Sequence, residues 1–190
     1  MGVPEWIAPI IFKTRGKLWS YYVDLGRQLW DEARHAMMGE VGLHSLGIPF
    51  HRYPVNIESS FTLNTQFTPL EAHALLWWIE QGLMPRKIGK PLEWQIARDH
   101  GDVLFTTFQD YDWADEVLHA RIGRDWLIPE FGSRAALAAA AQEAWPRWKQ
   151  ARADAASRSK QEPWWPEFLA QARGSVTQKR SDVSSTPASH

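Results

Sequence analysis

Two nine-residue stretches hold the side chains most capable of chemistry. Asp31-Glu32-Ala33-Arg34-His35-Ala36-Met37-Met38-Gly39 and Asp115-Glu116-Val117-Leu118-His119-Ala120-Arg121-Ile122-Gly123 agree at Asp, Glu, His, Ala and Gly. In each, Glu and His stand three residues apart. On an α-helix that spacing puts a carboxylate and an imidazole on one face, where both can reach the same point. Two such helices facing each other would offer Glu32, His35, Glu116 and His119 as a donor set suited to a transition metal. The Asp before each Glu is turned about 100° around the helix, so Asp31 and Asp115 read as hydrogen-bond partners of the imidazoles rather than as ligands. The chain has no Cys, which excludes thiolate nucleophiles, disulfides, Cys-based zinc sites and iron-sulfur clusters. Any metal must then use carboxylate and imidazole.

The elements that would present these motifs are helical. From Lys17 to about Gly42 there is no Pro and apolar residues recur at helical spacing, which predicts a helix ~39 Å long. From Leu43 to Thr68 the pattern breaks at Gly47, Pro49, Pro54, Asn56 and Asn64, a connection long enough to cross a bundle end to end. Phe50 to Phe67 is the only place a short strand could hide. Thr68 and Pro69 signal a helix start, and Leu70 to Gln81 continues as an apolar helix ended by Gly82. After a loop over 83–91, a helical stretch runs from Leu92 to about Leu127, interrupted near His100 and Gly101 and stopped by Pro129 and Gly132. Ser133 to about Ser157 is Ala-rich and helical with a kink at Pro146, and from Gly174 the chain reads as disordered. The expectation is all-α: a bundle over 1–130, an accessory helical segment over 131–173 and a tail over 174–190.

Two Glu-x-x-His helices supply half of the ligand plan of a di-metal carboxylate bundle, in which each of two further helices adds one Glu. Here the chain resembles the ferritin-like diiron-carboxylate superfamily, whose members include rubrerythrin-like proteins, soluble desaturases and bacterial multicomponent monooxygenases. Asp31-Glu32-Ala33-Arg34-His35 is similar to the Asp-Glu-x-Arg-His form of the oxygen-activating members, while the second copy has Leu118 in place of the Arg. The resemblance covers roughly residues 1–128 and implies an antiparallel bundle with a long crossover and extra C-terminal helices. It implies two iron ions, or manganese or a mixed pair, held by Glu32, His35, Glu116 and His119. The two single glutamates are expected to be Glu71 on the third helix and Glu5 on the first, with Glu80 and His73 as the alternative to Glu71. Asp31, Arg34, Asp115 and His73 are the expected supporting residues. If Glu5 fails, the first helix is degraded and the site is incomplete or completed by a partner chain.

A formal net charge of −1 and a pI near 6.7 give no basic excess for nucleic acid or an anionic membrane. No stretch approaches a membrane span, and the first residues do not form a signal peptide, so a cytoplasmic protein is expected. The adjacent pairs Trp77-Trp78 and Trp164-Trp165 point to a groove or to a homodimer contact. The function implied is oxidation of a small-molecule substrate with dioxygen or peroxide, with an electron donor the sequence does not name. The alternatives are a ferroxidase-type iron-handling protein and a non-catalytic helical module.

Overall fold

In the computed structural model, residues 2–53, 55, 57–85, 87–158 and 164–184 are described, and every long element among them is a helix. In chain order these are α1 (Pro4–Lys13), α2 (Trp19–Ser45), α3 (Glu58–Gln66), α4 (Pro69–Gly82), α5 (Lys90–Asp99), α6 (Val103–Phe131), α7 (Arg134–Arg158) and α8 (Trp165–Ser184).

Local chemistry sets several of the boundaries. α4 opens on a capping box: the Thr68 hydroxyl accepts from the Glu71 N–H, and the Glu71 carboxylate accepts from the Thr68 N–H. The stretch from Leu92 is broken near His100 and Gly101, where an interruption was expected, into α5 and α6. Gly101 takes φ +70 between them, and the Asp102 side chain caps α6 by accepting the Phe105 N–H at 2.8 Å. α6 passes Pro129 and stops before Gly132 at φ +78.

The crossover differs from the irregular connection expected of it. It contains a 3-10 turn at Phe50–Arg52 and the helix α3. Tertiary contact supplies what local pattern lacks: Trp6 Nε1 donates to Ser60 Oγ at 3.1 Å, and Trp148 Nε1 to the Ser59 carbonyl at 3.3 Å. The helix α8 likewise continues past Gly174, where disorder was expected, to Ser184. Its start is anchored by Trp164 and Phe168 against Tyr53, whose hydroxyl donates to Gln171 Oε1 at 2.7 Å. The rest of the expected tail, 185–190, lies outside the described residues.

Four helices form a closed ring in which α1 adjoins α2, α2 adjoins α6, α6 adjoins α4, and α4 adjoins α1. Pairings between α2 and α6 run Asp24 with Trp126, Asp31 with His119, His35 with Asp115 and Gly42 with Phe108, so these helices are antiparallel. Across the ring, Tyr21 meets His73 and Gln28 meets Glu80, so α2 and α4 are parallel. The core of α1 (Trp6, Ile7, Ile10) joins Tyr21, Leu25 and Leu29 of the first half of α2. The second half of α2, from His35 on, instead faces the open cleft described below. A second core of Ala74, Trp77, Leu127, Leu137 and Ala141 ties α4, α6 and α7, with Trp78 packed on it. Trp77 is thus inside the fold, 2% exposed, and Trp78 is half-buried against the same core. The approach of α4 to α6 is tight enough that a Cβ on Gly123 would lie 2.8 Å from Trp77 Cβ.

Candidate metal centre

The antiparallel register of α2 and α6 sets the two Asp-Glu-x-x-His motifs face to face inside the ring. Both imidazoles turn Nδ1 toward a common carboxylate core. His119 Nδ1 lies 3.4 Å from Glu32 Oε1, 3.7 Å from Glu116 Oε2 and 3.9 Å from Glu80 Oε1. His35 Nδ1 lies 3.5 Å from Glu32 Oε2, 3.8 Å from Glu116 Oε1 and 3.4 Å from Asp112 Oδ1. Glu32 and Glu116 therefore each present one oxygen to each imidazole, the arrangement of bridging carboxylates. Two candidate metal positions result. The inner one is made by Glu32, Glu80, Glu116 and His119, all buried, and the outer one by His35, Asp112 and Glu116.

The other nitrogen of each ring is braced by the opposite motif. His119 Nε2 lies 3.4 Å from Asp31 Oδ2, and His35 Nε2 lies 3.0 Å from Asp115 Oδ2. Such a carboxylate accepts a hydrogen bond from Nε2–H, fixing the tautomer that leaves the Nδ1 lone pair free to bind a metal. The aspartates are held in turn by arginines. Arg27 Nε donates to Asp31 at 2.8 Å, and Arg34 spans Asp31 at 3.1 Å and Asp115.

Burial opposes charge throughout the cluster, and neighbours decide which groups carry it. Burial pushes the Glu32 carboxyl up, but the two imidazoles outweigh it and bring the pKa to about 2. For His119 burial acts downward, and Glu116, Glu32 and Glu80 overcome it to raise the pKa to about 10. His35 moves upward because Glu32 and Asp112 outweigh its burial. Glu80 is pushed well above the usual carboxylate range by burial, with the charges of Glu116 and Glu32 adding to it. Glu116 is raised by burial and by Glu32. Without a metal, the cluster holds protons where a metal would bring positive charge.

A metal pair fits these residues on two grounds. Buried Glu80 Oε2, Glu116 Oε2, Asp112 Oδ1 and His119 Nδ1 all lack a hydrogen-bond partner. Orphans of this kind are costly unless something else satisfies them. Among the described residues, no Arg or Lys lies within ion-pair distance of Glu32, Glu80 or Glu116; Asp112 meets Lys90 Nζ at 2.6 Å through Oδ2, leaving Oδ1 turned to His35. Four carboxylates would balance two divalent cations, and two neutral imidazoles would complete a mixed oxygen and nitrogen shell.

Of the residues expected from the sequence, Glu32, His35, Glu116 and His119 meet in this cluster, with Asp31, Arg34 and Asp115 around it. Glu71 does not join them. It closes the capping box of α4 and pairs with Arg147 at 2.8 Å, and it precedes Glu80 on α4 by ~13 Å of helix rise. Glu80, the alternative, occupies the place instead, because α4 passes α6 with Trp77 beside Gly123. Glu5 is exposed on the first turn of α1, whose buried face belongs to Trp6, Ile7 and Ile10. His73 is fully buried away from the cluster, with Nδ1 3.3 Å from the Tyr21 hydroxyl. Burial and then Lys17 lower its pKa to about 3.

Asp112, Lys90 and Gln28, which donates to Glu80, were not foreseen. A signal for Asp112 was present: it lies one turn before Glu116 on the face shared with His119. It also stands in the same register of the repeat as Gln28 in the first copy, where the two residues differ.

Beside the outer position a cleft of about 1030 Å³ opens between the second half of α2 and the first half of α6. His35 and Asp112 form part of its wall, whereas Glu80 and His119 do not. No family model, curated protein or solved structure matches this chain. No helix among those described is long and apolar enough to cross a membrane.

Proposed function

We propose that this chain is a ferritin-like di-metal carboxylate protein, holding two iron ions or a manganese-containing pair, that oxidises a small organic molecule with dioxygen or peroxide. The observation that carries this reading is the convergence of unpartnered buried carboxylate and imidazole atoms on two adjoining positions. The closed ring of four helices, with α2 and α4 parallel and joined by a long crossover, supports the ferritin-like comparison.

Glu80 and His119 would hold the inner ion, His35 and Asp112 the outer one, and Glu32 and Glu116 would span both. When bound, such a pair supplies redox equivalents and Lewis acidity at the wall of the cleft. Asp31 and Asp115 accept from the Nε2–H groups and keep the imidazoles aimed, with Nδ1 turned to the carboxylates. Lys90 holds Asp112 by one oxygen while the other faces His35. The largely apolar cleft would deliver a substrate to the His35 and Asp112 side. An accessible cleft of this size favours oxidation of a substrate over simple iron storage.

The test is metal content per chain after growth in iron-supplemented medium, for the wild type and for a Glu32→Ala, Glu116→Ala double variant. About two metals in the wild type and none in the variant are expected. A wild type without metal would sink the proposal and leave a helical interaction module.

A further inference from the structure

The cleft beside the outer position has walls chosen for a particular kind of molecule. Along α6, from Asp102 at one end to Asp112 at the other, it runs ~15 Å at the helical rise. Leu43, Leu46, Leu104, Phe105 and Phe108 make it apolar, and Gly42 keeps the α2 wall low. A Cβ at Gly42 would come no closer than 4.0 Å to Phe108, so the glycine is not needed for helix packing there.

Two side-chain oxygens in this wall have no hydrogen-bond partner: Asp112 Oδ1, which faces His35 at the outer position, and Gln109 Oε1. Gln109 is 7% exposed, lines the cleft, and its Oε1 makes no hydrogen bond. It stands one turn from Asp112, on the same face of α6. A buried amide oxygen without a donor costs stability unless a ligand supplies one, and rotation about the terminal torsion of Gln can turn it to a ligand at little cost. His100 is less free to serve, because its Nδ1 lies 2.8 Å from the Ile96 carbonyl.

We propose that this cleft binds a neutral, extended, largely apolar molecule bearing a single hydrogen-bond donor, such as a hydroxyl, which Gln109 accepts next to His35 and Asp112. The donor end lies deep and the apolar body runs outward between Leu43 and Phe105. The metal reading above gives the site its chemistry, and the binding claim itself can be tested without metal. A molecule so held would bring its donor end to the outer position alone.

The experiment uses the full chain, metal-free and metal-loaded, with the fluorescent neutral amine N-phenyl-1-naphthylamine as probe and decanol or decyl methyl ether as competitors. Saturable binding of one probe per chain is expected, with decanol displacing it more strongly than the ether, which lacks the donor. In Gln109→Leu the advantage of decanol over the ether should shrink by about ten-fold, the size of one hydrogen bond. In Gly42→Phe probe binding should be lost while helicity and metal content are kept. Absence of saturable binding, binding that survives Gly42→Phe, or an equal preference for the two competitors in the wild type would overturn the proposal. Probe binding by a chain that takes up no metal would defeat the metal reading and leave this one standing. Metal uptake without probe binding would do the reverse.

Discussion

Asp31 and Asp115 each hold the imidazole of the other helix, and the cost of losing them can be predicted separately from the loss of a ligand. Asp115→Asn keeps the shape but replaces the charged acceptor for His35 Nε2–H with a neutral amide, so affinity at the outer position should fall about ten- to a hundred-fold while the inner ion stays. Asp31→Asn should weaken the inner ion instead. Competition titration with a chelating dye separates the two; equal effects at both positions would refute the crossed pairing. His73 gives a different prediction, for stability against pH. Its pKa is about 3 in the fold against 6.5 for the free side chain. Below 6.5 the unfolded chain takes up a proton that the folded one refuses, so stability falls as pH drops from 6.5 toward 3. In urea unfolding, the wild type should therefore lose about 2 kcal/mol more than His73→Phe between about pH 7.5 and about pH 5.

At the scale of elements, Glu71 shows how a correct helix start can single out a carboxylate that lies away from the cluster. Thr68 and Pro69 were legible as a start, and Thr68-Pro69-Leu70-Glu71 is itself the capping-box spacing. A Glu in that position is already committed to the backbone, which leaves Glu80 for the centre. Glu71→Ala should then cost about 1 kcal/mol of stability and leave metal content unchanged, whereas Glu80→Ala should empty the inner position. Asp112 was not legible by identity between the repeats, because the repeat itself is asymmetric there: Gln28 bonds Glu80, and Asp112 meets Lys90 and His35. Gly123 adds a packing test. Gly123→Ala would drive a methyl into Trp77, and overpacking of this kind typically costs about 1–3 kcal/mol, measurable as a shift in the urea midpoint without change in slope.

For the molecule as a whole, helical class and the facing of the two motifs followed from periodicity and spacing, because both are local properties of α2 and α6. The crossover helix α3 and the long α8 did not. Their stability comes from distant partners, Trp6 and Trp148 for α3 and Tyr53 for α8, which no window of neighbouring residues contains. The cleft was equally hidden. It exists where α1, ten residues long, shares a core with only the first half of α2. Metal should act on the whole fold as well. Ions binding only the folded chain stabilise it by about 2.7 kcal/mol per site at a hundred-fold excess over Kd, so chelation should lower the melting temperature of the wild type and leave the Glu32→Ala, Glu116→Ala variant unmoved.

The exchanged aspartates have a consequence for how the centre can come into being. A lone copy of the motif carries a Glu and a His but not the Asp that orients its own imidazole, so neither helix is by itself half of the cluster. Only when α2 and α6 lie antiparallel and in the right turn do both rings acquire their acceptors together. A slip of one turn by either helix would take both away at once. The centre thus behaves as a two-key lock for the fold, engaged by the correct docking of two helices and silent for any other.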